Sequence, residues 1–159
     1  MCDAADMATA WAEREAARVG LKEAYDKKEA AKAAVTQAVV DARGVRVTWK
    51  KIADELGVEP SNATRKYKPS VDKMEPANTW ENEPDPELLA LAAVRDAVRK
   101  HKEAVRAELL AVAAARALEV TWKEIGEAVK MAEPNAFVKY TALLEEKRVV
   151  TVRGEPPAE

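Results

Sequence analysis

Val47-Thr48-Trp49-Lys50-Lys51-Ile52-Ala53-Asp54-Glu55-Leu56-Gly57-Val58-Glu59-Pro60-Ser61-Asn62-Ala63-Thr64-Arg65-Lys66-Tyr67 is followed, 73 positions later, by a related stretch from Val120 to Tyr140. Val-Thr-Trp-Lys recurs at 120–123, Ile52 as Ile125, Asn62-Ala63 as Asn135-Ala136, and Lys66-Tyr67 as Lys139-Tyr140. Those nine identities fall within 21 positions and need no gap. The offset also pairs Ala34, Ala38, Val39, Ala42 and Arg43 with Ala107, Ala111, Val112, Ala115 and Arg116, so the helix upstream belongs to the repeat.

The periodicity in each stretch is helical. Thr48 is placed to cap a short helix whose inward face is Trp49, Ile52, Ala53 and Leu56. Gly57 permits a tight turn, Val58 is expected to plug the corner, and Pro60-Ser61 opens a second short helix with Ala63 and Tyr67 inward. A small residue at 53 lets the two helices cross closely. Upstream, Leu21, Tyr25, Val35, Val39 and Ala42 form one stripe of a long helix ending at a Gly44 C-cap. A shorter helix with Met7, Trp11 and Val19 is expected before it. In the second copy Asp85-Pro86-Glu87 reads as a helix start, and Leu91, Val94, Val98, Val105, Leu109 and Val112 continue a stripe. Two such stripes can cover each other within one chain or across a homodimer through Val98, Val105, Leu109 and Val112.

The expected fold is all-α: a tandem repeat of a long helix plus a helix-turn-helix, with a short C-terminal β-strand at Arg148 to Gly154. The expected units are residues 1–67, an acidic, proline-containing linker over 68–85, and residues 86–159. Composition agrees, because only five glycines, one phenylalanine and three tyrosines occur among 159 residues. The one cysteine, Cys2, leaves no intrachain disulfide, and no apolar run suits a signal sequence or membrane span. A cytoplasmic location without membrane association is expected.

The stretch from Thr48 to Tyr67 resembles the small helix-turn-helix modules of actinobacterial and actinophage DNA-binding proteins. The residues that carry the likeness are Thr48-Trp49, Ile52-Ala53, Leu56-Gly57-Val58 and the closing Tyr67. Such proteins include transcriptional regulators and phage repressors. The resemblance covers about 20 residues per copy and implies double-stranded DNA as partner, with the second short helix entering the major groove.

The two copies differ where such a module would read DNA. In the first, Ser61, Asn62, Thr64, Arg65 and Lys68 are outward and able to bond a base edge or phosphate, with Thr48, Lys50, Lys51 and Lys66 as further contacts. Eight basic residues from Arg43 to Lys73 face four acidic ones, a local patch within a chain of net charge -2. In the second copy Lys130 replaces the turn glycine and the outward positions are Pro134, Asn135, Phe137 and Val138, while basic and acidic residues balance over 116–148. Phe137, Val138 and Leu143 therefore read as a protein-interaction surface. Trp49 and Trp122 read as core anchors, and Glu145-Glu146 as solvated charge. His101 stands alone on a long helix, so neither metal ligands nor a catalytic set emerges, and no cofactor is expected. The sequence thus points to a non-enzymatic, sequence-specific DNA-binding regulator of bacterial or phage origin. The alternative is an adaptor that keeps the helix-turn-helix shape but docks on another protein.

Overall fold

A computed structural model describes residues 3–152 and contains, among the described residues, six helices and no strand. They are α1 (Ala4–Gly44), α2 (Trp49–Leu56), α3 (Pro60–Lys73), α4 (Pro86–Ala117), α5 (Trp122–Ala128) and α6 (Glu133–Val152). Cys2, Arg153 and Gly154 lie outside the described residues.

Two compact units divide the chain, and their boundaries differ from those of the sequence repeat. One contains residues 28–104, the other residues 1–27 with 105–159. The boundaries cut through both long helices. In the 28–104 unit, Val35, Ala38, Val39 and Ala42 of α1 share a core with Val47, Ile52, Tyr67 and with Ala90, Val94 and Ala97 of α4. In the other unit, Leu21 of α1 shares a core with Leu109, Val112 and Ala115 of α4 and with Val120, Ile125, Val129, Ala136 and Tyr140. Each helix pair thus packs on the end of its own long helix and on the beginning of the other one. Covering these stripes inside one chain removes apolar surface worth roughly 1.5–3 kcal/mol for each fully buried Leu, Ile or Val. Val105, expected on the covered stripe, is 41% exposed.

Local geometry follows the offset of 73. Arg46 and Glu119 adopt left-handed φ values of 66° and 62° after α1 and α4. The amide of Val47 then donates to Ala42 O, and that of Val120 to Ala115 O, both at 3.0 Å. Thr48 and Thr121 hold extended backbone (φ -69° and -71°) and accept from the amides of Lys51 and Glu124. Arg43 and Arg116 donate to the carbonyls of Val47 and Val120 at 2.7 and 2.8 Å and lie over Trp49 and Trp122. The ion pair of Lys51 with Glu87 corresponds to that of Glu124 with Arg14, with the charges exchanged.

Several sequence expectations change. One helix runs from Ala4 to Gly44, and Met7, Trp11 and Val19 lie on it, each at least half exposed. The residue that turns the chain after α1 is Arg46 rather than Gly44. Gly44 instead admits Pro76, whose Cγ would lie 2.6 Å from a Cβ at that position. The expected linker begins inside α3, because residues 68–73 are helical and Pro69 is accommodated there although it has no N–H to donate to the Arg65 carbonyl. Residues 74–85 are irregular but pinned: the buried carboxylate of Asp41 accepts from the Ala77 amide at 2.7 Å and from Gln37 at 2.9 Å, and Trp80 packs on the core. Val58 is 45% exposed and does not plug the corner. Residues 148–152, expected as strand, belong to α6; their β-branched content is outweighed by continuation of a helix already under way.

Candidate nucleic-acid interface

α2 and α3 are held in place from three sides. Thr48 caps α2, Gly57 closes it at φ 72°, and the Gly57 amide donates to Ala53 O. Ala53 and Ile52 are fully buried, and α3 anchors itself through Ala63 and Tyr67. Two ion pairs fasten α2 to the beginning of α4: Lys51 with Glu87, and Glu55 with Arg95 through two bonds of 2.9 and 2.7 Å. The hydrogen bond from Arg95 holds the Glu55 carboxyl below the usual carboxylate range.

With Ala63 and Tyr67 inward, the opposite face of α3 presents Ser61, Asn62, Arg65 and Lys68 to solvent. Arg65 makes no ion pair among the described residues, whereas Lys68 lies 3.4 Å from Asp72 one turn on. Thr64 is half-buried and donates its hydroxyl to the Pro60 carbonyl at 2.9 Å. Lys66 is exposed and its ammonium sits 5.3 Å from the centroid of the Tyr67 ring. On α2, Lys50 projects freely, Thr48 spends its hydroxyl oxygen on the cap, and Lys51 is engaged by Glu87. The sites expected from sequence thus separate into Ser61, Asn62, Arg65 and Lys50, which are exposed and uncommitted among the described residues, and Thr48, Lys51, Thr64, Lys66 and Lys68, which have intramolecular partners.

Arg43, counted in the basic patch, clamps Val47 and stacks on Trp49, so its positive charge serves the turn. Its recurrence as Arg116 was the signal that it belongs to the scaffold. In the second pair, Phe137 and Val138 are 48% and 67% exposed, and the Phe137 ring meets Trp122 edge-on at 5.5 Å. Leu143 is different: it is half-buried and packs on the unit's core. Lys130 holds the turn at φ 54°, so the conformation survives without glycine. Glu124 completes a capping box with Thr121, and these bonds lower its pKa below the ordinary value.

Sequence reading missed a concavity beside α3. Val35, Leu56, Val58, Ala63, Tyr67 and Val98 line a cavity of about 230 Å³, with Lys32, Asn62, Lys66, His101 and Lys102 also on its lining. Burial, then the charges of Lys66, Lys28 and Lys32, push the His101 pKa down. No group of three or more His, Cys, Asp or Glu among the described residues is arranged to hold a metal ion, and no helix there is long and apolar enough to cross a membrane.

No protein-family model, no curated protein and no solved structure matches the chain.

Proposed function

We propose that the chain is a sequence-specific double-stranded DNA-binding protein, a transcriptional regulator of bacterial or phage origin, built from two copies of one helix-turn-helix unit. The α3 segment 60–67 reads the major groove. The observation that carries this reading is the exposed face of Ser61, Asn62 and Arg65, presented by a helix whose Ala63 and Tyr67 are locked into the core. Asn and Arg are the side chains that bond adenine and guanine edges in two places at once, and Ser and Lys reach phosphate. The comparison between copies sharpens it. Trp49, Ile52, Ala63 and Tyr67, identical in both, build the unit; on the outward face Asn62 recurs as Asn135, whereas Ser61, Arg65 and Lys68 become Pro134, Val138 and Thr141. Reading capacity therefore resides in the first copy.

Selection of bound fragments from a mixed genomic pool, followed by anisotropy titration of the enriched site, tests this. Wild type is expected to enrich a defined site and to bind it at least a hundredfold more tightly than random duplex, and Arg65→Ala to lose most of that preference. Equal affinity for all fragments would overturn the reading. The test calls for point variants, because truncation at residue 85 would remove Ala90, Val94 and Ala97 from the core beneath α2 and α3.

A second reading is supported by Phe137 and Val138, whose exposure suits an adaptor that docks on another protein.

A further inference from the structure

The cavity beside α3 differs from its counterpart in the other unit in one chemical respect. At the offset of 73, Val35 corresponds to Glu108, Tyr67 to Tyr140, Val58 to Met131, and Tyr25 to Val98. In the 105–159 unit the Tyr140 hydroxyl donates to the buried Glu108 carboxylate at 2.5 Å, and Tyr25 and Met131 pack on the core. That unit carries its own carboxylate, with bulky side chains around it. In the 28–104 unit a valine stands where the carboxylate would be, and Val98 is smaller than tyrosine. The Tyr67 hydroxyl makes no hydrogen bond among the described residues.

What remains is an apolar hollow with basic side chains on its lining. Lys32, Lys66 and Lys102 line it and no acidic residue does. Lys32 and Lys102 form no ion pair among the described residues, and the Lys66 ammonium lies over the Tyr67 ring. An apolar concavity bordered by one sign of charge concentrates the field on an ion of the opposite sign. The volume is below the roughly 300–1,000 Å³ of sites for drug-sized ligands, so one ring or one short acyl chain would fill it.

We propose that this cavity binds a small monocarboxylate with an apolar body, whose carboxylate takes from Tyr67 the hydrogen bond that Glu108 takes from Tyr140, with Lys32 and Lys66 as counter-charges. The hydrocarbon part lies against Val35, Leu56 and Val98. This site shares Asn62 and Lys66 with the α3 surface, but carboxylate binding at Tyr67 is measured without DNA and is judged independently of DNA binding.

His101 is the chain's one histidine and lies on the cavity lining, so its ring protons give a single NMR reporter. The experiment titrates the full chain at constant ionic strength with sodium benzoate and sodium octanoate, and in parallel with benzyl alcohol and benzylamine. Saturable movement of the His101 signals with a carboxylate is expected. Benzyl alcohol should bind roughly tenfold more weakly or worse, as should benzoate to Tyr67→Phe and to Lys32→Gln. Val35→Glu, which installs the other unit's carboxylate, should abolish binding. Should that variant misfold, the first two substitutions decide. Absence of a saturable shift at tens of millimolar carboxylate would overturn the proposal, as would benzyl alcohol or benzylamine binding as tightly as benzoate, or unchanged affinity in both Tyr67→Phe and Lys32→Gln.

Discussion

Leu21→Ala should weaken the helix pair that lies a hundred residues further on, rather than the pair into which its own helix leads. Leu21 is fully buried, in the core shared by Val112, Ile125 and Tyr140. Truncation removes three buried carbons, about 2.4 kcal/mol of transfer free energy, and an imperfectly collapsed cavity raises the total to about 3 kcal/mol. Native-state hydrogen exchange reads the effect locally. The Ile125 amide, bonded to Thr121 O at 3.0 Å, should exchange roughly a hundredfold faster. The equivalent Ile52 amide, bonded to Thr48 O at 3.1 Å, should change much less. Val94→Ala should show the reverse pattern with a smaller cost, about 2 kcal/mol for two methyl groups. An equal or greater acceleration at Ile52 in Leu21→Ala would refute this assignment of the cores.

Three further outcomes are expected. Gly57→Ala should cost about 1 kcal/mol in urea denaturation, since a Cβ there meets nothing within 4 Å and the penalty is that of a left-handed φ alone. Gly126→Ala should cost more, because its Cβ would lie 2.6 Å from the Met131 carbonyl oxygen and the backbone would have to shift. Burial, and then the bond to Glu108, raise the Tyr140 pKa, so the folded state keeps a proton that the unfolded chain releases near pH 10. Its stabilising contribution is complete below that pH and falls as pH rises above it; Tyr140→Phe should flatten the loss of stability between about pH 10 and 12.

The helical class, the short helices and their inward faces were legible because periodicity and caps are local. Thr48, Ile52, Ala63 and Tyr67 stand where their spacing placed them. What escaped is what depends on the partner of a side chain. Nothing near Leu21 in sequence says that its stripe meets Val112 and Ile125, although Ala17, Leu21 and Tyr25 already align with Ala90, Val94 and Val98 at the offset of 73. The C-terminal β-branched run was read from propensity, a weak term beside the propagation of an existing helix. Within the candidate interface, charge alone did not distinguish Lys51, held by Glu87, or Arg43, folded onto Trp49, from the free Lys50 and Arg65. The cavity with His101 was hidden for the same reason: its lining comes from α1, α2, α3 and α4, with α1 and α4 far apart in the chain.

The central proposal is tested most directly by the salt dependence of duplex binding. Wild type, Lys50→Ala with Arg65→Ala, and Lys123→Ala with Lys139→Ala are titrated by anisotropy across a range of salt concentrations, with helicity checked by circular dichroism. Loss of the Lys50 phosphate contact should reduce the slope of log affinity against log salt by about 0.9 for the first pair, with the Arg65 change weakening site preference besides, while the second pair leaves the slope unchanged. An unchanged slope in a folded Lys50→Ala, Arg65→Ala protein, or an equal loss from the second pair, would contradict DNA binding through α2 and α3.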